Sequence, residues 1–143
     1  DTVMNMKLLV GRKFDDPDVQ KELSRCFFRC EKLPGGGVGV SFTYNDNKCV
    51  VPVEHFMAMM LTKAKDIVSG ANAGLALADA VMAVPAWYTE SQRRGIFQAC
   101  EIANVNCLKV ANEMTLIALS YGIFKSAKSL FSATEPSYVM FID

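Results

Sequence analysis

The sequence predicts an α/β fold in two parts, in which short helices and an antiparallel β-meander precede a partial α/β layer. In the first third, the turn-forming stretches PGGG at 34–37 and NDN at 45–47 separate short β-branched and aromatic runs. A long amphipathic stretch follows from residue 53. Beyond residue 78, apolar runs alternate with helical patterns, as they do in layered α/β domains.

The first part begins with two predicted helices. A short helix in VMNMKLLVG (3–11) is closed by Gly11, and a second has Asp16 as its N-cap and Pro17 in its first position. Three antiparallel strands are then predicted in CFFRCEKL, VGVSFTY and KCVVPV. The glycines at 35–37 run into a strand and not into a helix N-terminus, which favours a hairpin turn over a phosphate loop.

The long helix is predicted from Val53 to about Ser69, with one apolar face. His55 lies near its start as a surface or half-buried residue, and Met57, Met59 and Met60 are interpreted as core and neighbouring packing rather than as ligands. The apolar face is predicted to contain Met57, Leu61, Ala64 and Val68.

The second part is predicted to contain two helices and three strands. The helices lie at 89–104 and 113–124, and Thr89 and Gln92 have the spacing of a capping box in the first of them. A Ser-rich link follows at 125–136. The strands are predicted at DAVMAV (79–84, buried), CLKV (107–110) and SYVMFI (137–142).

The pair Asn112–Glu113 stands between a strand and a helix and permits two interpretations. Asn112 has the side chain of an N-cap, and a carboxylate in the first helical turn is favoured by the helix dipole. Alternatively, Glu113 lies just past a strand end, where open α/β sheets bind ligands. The pattern at these two positions leaves both interpretations open.

Composition restricts the partners and the compartment. Fifteen acidic and fifteen basic residues give a net charge of zero, which favours neither nucleic acid nor a membrane surface. No apolar run approaches the roughly 20 residues of a membrane span, and no signal peptide is recognisable at the start. The five cysteines lack metal-ligand spacing and His55 is the only histidine, so we expect no zinc, reduced thiols and a cytoplasmic location.

Four segments together resemble a known family. They are MKLLVGRKFDDPDVQ at 6–20, VPAWYTESQRR at 84–94, CLKVANEMTLIALSYGIFK at 107–125 and YVMFID at 138–143. In this order and spacing they resemble the ATPase domain of the 70-kDa heat-shock (DnaK-type) chaperones, over essentially the whole chain.

The resemblance is greatest to the divergent branch of 110-kDa heat-shock proteins. YTESQRR, ALSYGIFK and the Ser-rich link are similar to that branch, and Met114 stands where the mainstream chaperones have proline. Leu8 departs from both branches, in which a basic residue usually follows the lysine matched by Lys7.

For the fold, the resemblance implies the first lobe of an actin-like (ribonuclease-H-like) ATPase domain. Residues 1–57 would form a small helix and meander subdomain, 58–133 a partial α/β subdomain, and 134–143 the start of the strand that leads into the second lobe. The chain opens on a helix and stops on a strand, so we expect it to be part of something larger.

For the site, the resemblance implies catalytic and nucleotide-binding roles for three residues. Lys7 matches the lysine beside the γ-phosphate that orients the attacking water, and Glu113 matches the carboxylate that holds water around magnesium and senses the phosphate. Asp143 matches the first residue of a phosphate-binding loop, near the metal through water. No direct metal ligand is expected. Pro85 and Arg93 match a pair that relays the nucleotide state toward the substrate-binding half.

For the function, the resemblance implies that the parent protein binds ATP or ADP with Mg²⁺. It would hold unfolded polypeptides and promote nucleotide exchange on a 70-kDa heat-shock partner, with slow ATP hydrolysis. The chain alone is expected to hold no nucleotide tightly, to be inactive and to self-associate through exposed apolar faces. The alternatives are a mainstream 70-kDa ATP-hydrolysing foldase and a stand-alone protein–protein interaction domain without nucleotide chemistry.

Overall fold

The structure is a computed structural model that describes residues 2–128, 130–132 and 134–142. No helix within these residues is long and apolar enough to cross a membrane. The elements in chain order are α1 (Met6–Leu9), α2 (Pro17–Leu23), β1 (Arg29–Lys32), β2 (Val38–Tyr44), β3 (Asn47–Pro52), α3 (Val53–Ala71), β4 (Asp79–Val84), α4 (Glu90–Ile102), β5 (Asn106–Asn112) and α5 (Glu113–Ala127).

The predicted antiparallel meander is confirmed. Strands β1, β2 and β3 pair in that order, with Cys30 opposite Val40 and Val40 opposite Val51. Asn45 and Asp46 both have positive φ, the backbone of a tight hairpin turn. The glycine-rich stretch is the predicted hairpin turn between β1 and β2, and it does not lead into a helix.

The two small helices are present as predicted, although α1 is limited to Met6–Leu9 within the predicted 3–11. The Asp16 carboxylate accepts a hydrogen bond from the backbone N–H of Asp18, and Pro17 is the first residue of α2. Gly11 follows α1 with φ 67°, and a Cβ there would lie 2.4 Å from the carbonyl oxygen of Ser91. Only glycine fits this position, so α1 and the start of α4 are in close contact.

Helix α3 has one predicted apolar residue on the wrong side. Ala64 is exposed, whereas Lys65 is half-buried and donates hydrogen bonds to the carbonyl oxygens of Ala103 (3.1 Å) and Asn104 (2.9 Å). A lysine stem packs along an apolar surface while its ammonium reaches carbonyls beyond it, which a count of apolar residues misses. The rest of the predicted face is half-buried, namely Met57, Leu61 and Val68.

The interpretation of Met59 and Met60 as packing residues is wrong. Each side chain is 58% exposed, because both point away from the face of α3 that packs on α4. Met57 lies on the packed face of α3 and contacts the core.

The second part contains a parallel pair of strands. β4 and β5 pair from Asp79 opposite Asn106 to Val84 opposite Asn112, and α4 connects them. The capping box is confirmed, because Gln92 N–H donates to the Thr89 hydroxyl and the Gln92 side chain bonds the Thr89 backbone N–H. The prediction of a buried β4 is wrong, since its residues alternate and Val81 is 49% exposed.

The end of the chain differs from the prediction. Helix α5 continues to Ala127 and so takes the first residues of the predicted 125–136 link. SYVMFI is not a strand, because residues 137–142 pair with no neighbouring strand in the described part of the chain, and unpaired β-backbone is not held extended. Phe141 instead packs edge-on against Tyr121, with ring centroids 5.7 Å apart. Asp143 lies outside the described residues.

One hydrophobic core joins the two parts. Its members from α1, α3 and α4 include Leu9, Val53 and Ile96, which are at most 3% exposed. The mixture of an antiparallel meander, a parallel strand pair and packed helices confirms the predicted fold class. The predicted subdomain limit at 57/58 falls inside α3 and stays a prediction.

Candidate functional site

Two of the residues predicted for the site lie side by side. Lys7 is on α1, and Glu113 is the first residue of α5, immediately after β5. The Lys7 ammonium lies 2.8 Å from Oε1 of Glu113, although the residues are 106 positions apart in the chain. The Lys7 side chain is 53% exposed and that of Glu113 24%, so the pair lies at the surface, where an external group reaches it.

Asn112 occupies the N-cap position of α5 and Glu113 lies in its first turn, but the predicted side-chain cap is not formed. The Asn112 side chain makes no capping hydrogen bond and instead accepts one from Nη2 of Arg93 at 2.6 Å. A charged donor forms a stronger hydrogen bond than a backbone N–H, which explains why the guanidinium takes the amide oxygen. The contact ties α4 to the end of β5, directly beside Glu113.

Tyr88 connects these residues to α1. Its hydroxyl donates a 2.5 Å hydrogen bond to the carbonyl oxygen of Lys7, and its own carbonyl accepts one from Nε of Arg93 at 3.3 Å. Lys7, Glu113, Asn112, Arg93 and Tyr88 therefore form a closed ring of side-chain and backbone links. We call these five residues the Lys7–Glu113 ring.

The sequence did not identify Tyr88. It stands between a turn proline and a helix cap, which is typical of a packing aromatic, and no local pattern places its hydroxyl on a carbonyl 81 positions earlier. Burial, and to a lesser degree the negative charge of Glu113, raise the pKa of Tyr88 to about 12. The phenol therefore stays protonated and donates a hydrogen bond at all physiological pH values.

Pro85 and Arg93 meet through the same tyrosine. The backbone N–H of Tyr88 donates to the carbonyl oxygen of Pro85 at 3.1 Å, and Pro85 is itself buried. The turn that starts at Pro85 thus leads directly to the backbone that Arg93 holds.

The side chains of the Lys7–Glu113 ring show how the implied magnesium ion could be held. Within residues 2–128, 130–132 and 134–142, no group of three or more His, Cys, Asp or Glu side chains could hold a metal ion. A single carboxylate beside an ammonium does not form a direct metal cage. It fits a magnesium ion that keeps its water shell and is held through that water, which is the usual habit of this ion.

Two surface clefts in the described part of the chain are lined by residues outside the Lys7–Glu113 ring. One of about 420 Å³ is lined by residues that include Arg12, Trp87 and Ser91, and one of about 280 Å³ by residues that include His55 and Glu101. Neither of these two clefts is lined by Lys7 or Glu113.

Comparisons with known proteins cover the whole chain. The family model described as Hsp70 protein matches residues 1–143. The chain is 36% identical over 142 residues to human heat shock 70 kDa protein 4L, and 35% identical over 142 residues to rat heat shock 70 kDa protein 4. It is 37% identical over 143 residues to the 97 kDa heat shock protein of Strongylocentrotus purpuratus. Each alignment covers 99% of this chain and 16–17% of the relative's length.

Proposed function

We propose, from the premise that this chain belongs to the Hsp70 family, that it supplies the phosphate-facing wall of the first lobe of a chaperone ATPase domain. The resemblance to the 110-kDa branch agrees with the heat shock 70 kDa protein 4 and 97 kDa relatives. The observation that carries the proposal is the contact between the Lys7 ammonium and the Glu113 carboxylate at 2.8 Å. The family resemblance assigns both residues to one site independently of this contact.

The pair has the charges that a nucleotide phosphate with hydrated magnesium requires. An ammonium offsets negative charge on a transferring phosphoryl group, and it orients a water by hydrogen bonding. The Glu113 carboxylate accepts hydrogen bonds from the water shell of a magnesium ion, whose charge stabilises the phosphates when it is bound. Asp143 is proposed to act in the same outer-sphere way.

A relay through Pro85 and Arg93 is the second part of the proposal. Arg93 holds Asn112, the residue before Glu113, so a change at Glu113 displaces the guanidinium. Arg93 also holds the backbone of Tyr88, which follows the Pro85 turn. This chain of contacts supports a mechanical connection between the phosphate-facing carboxylate and the surface around Pro85.

For the whole protein, we propose a chaperone that binds ATP or ADP with Mg²⁺ and holds unfolded polypeptides. It would promote nucleotide exchange on a 70-kDa heat-shock partner and hydrolyse ATP slowly. Met114, in place of the mainstream proline, favours this function over that of a mainstream foldase. The free state of all five cysteines supports a reducing compartment such as the cytoplasm.

A second candidate is an interaction domain without nucleotide chemistry. The observation that favours it is the exposure of large apolar side chains on α5 and beyond it, such as Ile123 (62%) and Met140 (81%). Such surfaces mark contacts with other chains or with further parts of the same chain. This candidate predicts self-association and no response to ATP.

Calorimetric titration of Mg²⁺-ATP into the full-length protein tests the proposal. We expect binding by the unaltered protein and affinity roughly 10- to 150-fold lower for Lys7→Met, because a charged hydrogen bond contributes roughly 1.5–3 kcal/mol. Lys63→Met is the matched control, since Lys63 is an exposed lysine on α3. The 143-residue chain alone is expected to bind weakly or not at all.

Two results would contradict the proposal. Absence of binding by the unaltered full-length protein would favour the interaction domain. Equal loss of affinity in Lys7→Met and Lys63→Met would show that the lysine at position 7 has no special part in the site.

A further inference from the structure

The backbone around Lys7 is not held by its own helix. α1 has four residues, Asn5 before it has a left-handed backbone, and no side chain caps its start. Isolated helices of this length are unstable, so contacts with the rest of the protein determine how α1 is oriented.

The carbonyl oxygen of Lys7 lacks the usual helical partner. In a continuing α-helix it would accept from the N–H of Gly11, but that N–H donates to Oε1 of Glu54 at 2.9 Å. Carbonyls at a helix C-terminus need donors from elsewhere. The Tyr88 hydroxyl supplies this donor. Because Tyr88 is only 5% exposed, water competes little for this hydrogen bond.

We propose that Tyr88 is a positioning residue, whose hydroxyl fixes the backbone of Lys7 so that the ammonium meets Glu113. The inference rests on the proposed function of the Lys7–Glu113 pair. Tyr88 acts on the pair through the backbone carbonyl of Lys7, whereas Glu113 contacts the Lys7 ammonium. Through its own backbone, Tyr88 also makes the orientation of Lys7 sensitive to Arg93 and to the Pro85 turn.

The hydroxyl, rather than the ring, carries this role. The ring of Tyr88 packs edge-on against Trp87, with centroids 5.1 Å apart, and this contact requires no oxygen. Phenylalanine at position 88 would keep the aromatic packing and lose only the hydrogen bond to Lys7. The two contributions are therefore separable by one substitution.

The experiment compares Tyr88→Phe with Tyr44→Phe in the full-length protein. Tyr44 is 65% exposed at the end of β2, so its substitution removes a hydroxyl remote from the site. Calorimetry gives the affinities for Mg²⁺-ATP and Mg²⁺-ADP. We expect Tyr88→Phe to lower the ratio of ATP affinity to ADP affinity roughly three- to tenfold, as loss of one buried hydrogen bond predicts. Tyr44→Phe should leave the ratio unchanged.

A second readout does not depend on nucleotide. Carbon-13 NMR of carboxyl-labelled glutamate, with Glu113 assigned by Glu113→Gln, reports whether the ammonium stays beside that carboxylate. We expect Tyr88→Phe to shift the Glu113 resonance in the direction that Lys7→Met shifts it, and Tyr44→Phe to leave it in place. A melting temperature for each variant verifies that it is folded.

The outcomes separate the two proposals. Equal weakening of ATP and ADP, or an unmoved Glu113 resonance in Tyr88→Phe, would overturn the positioning role. Failure of the unaltered protein to bind either nucleotide would overturn the proposed function. A Glu113 shift in that case would still support the positioning of Lys7 by Tyr88.

Discussion

Helices α4 and α5 follow parallel neighbouring strands, yet they differ in capping and in burial. α4 has a complete capping box and buries five residues, Gln92, Gly95, Ile96, Ala99 and Cys100. α5 has no side-chain cap and buries none of its residues. Four large apolar residues of α5 are about half exposed or more, namely Ile117, Leu119, Ile123 and Phe124.

The difference shows that apolar composition and burial are separate properties. By sequence, EMTLIALSYGIFKSA is more apolar than ESQRRGIFQACEI, yet the second helix is the buried one. α4 contacts α3 on one side and β5 on the other, whereas the contacts of α5 with the other helices and strands are made mainly with β4 and β5. The apolar surface of α5 is thus available to whatever else packs there.

Truncating one isoleucine in each helix should give the largest difference in free energy of unfolding between the two helices. In the 143-residue chain, Ile96→Ala should lower the free energy of unfolding by about 2–5 kcal/mol, because Ile96 is 3% exposed and leaves a cavity. Ile123→Ala should change it by less than about 0.5 kcal/mol, because Ile123 is 62% exposed. Urea denaturation measures both. Similar costs for the two variants in the chain would contradict the difference described for the helices.

The same two variants test whether α5 is covered in the full-length protein. If further parts of that protein cover α5, the cost of Ile123→Ala should rise there toward that of Ile96→Ala. An unchanged cost would indicate that this face of α5 stays open.

The glycines within the two helices give a smaller effect of opposite sign. A Cβ at Gly95 would lie 3.0 Å from Cγ2 of Val10 and 3.1 Å from the backbone of Gly11. Overpacking there should exceed the gain in helix propensity, so Gly95→Ala should destabilise by a net amount of about 1 kcal/mol. Gly122 has no atom within 4 Å of its Cβ position, so Gly122→Ala should stabilise by about 0.5–1 kcal/mol. Thermal denaturation of the two variants gives the signs, and stabilisation by both would contradict the close approach at Gly95.

An effect confined to high pH concerns Tyr88, at the junction from which α4 starts. Its pKa is raised to about 12 by burial, so the folded protein keeps a proton that the unfolded chain loses near pH 10. This contribution to stability is present below about pH 10 and is lost as the pH rises toward 12. Ultraviolet titration of tyrosinate should show a late step that Tyr88→Phe removes. A tyrosinate titration without a late step would contradict the burial of the phenol.

Local chemistry explains which elements were predicted. Asp16 with Pro17, and Thr89 with Gln92, start their helices by contacts within four residues, so the pattern and the structure agree. The hairpin turn at Asn45–Asp46 depends on two backbone conformations that asparagine and aspartate tolerate. These features involve no distant part of the chain.

Several errors depend on whether a distant part of the chain supplies a hydrogen-bond partner. Asn112 has the side chain of a helix cap, but Arg93 takes its oxygen. Lys65 reads as a solvent-facing residue, but the end of α4 offers it two carbonyls. SYVMFI has the composition of a strand and lacks a paired neighbour in the described chain.

The candidate site contains residues that sequence motifs identify and a contact that only the structure shows. The residue types Lys7, Glu113, Pro85 and Arg93 were recognisable from motifs, because motifs keep residue identity and spacing along the chain. Their connection through Tyr88 was not, because a hydroxyl and a carbonyl 81 positions apart meet only when α1 packs on α4. Hydrogen bonds within a turn follow from neighbouring residues, whereas contacts between elements depend on how the whole core packs, and only the folded chain specifies that packing.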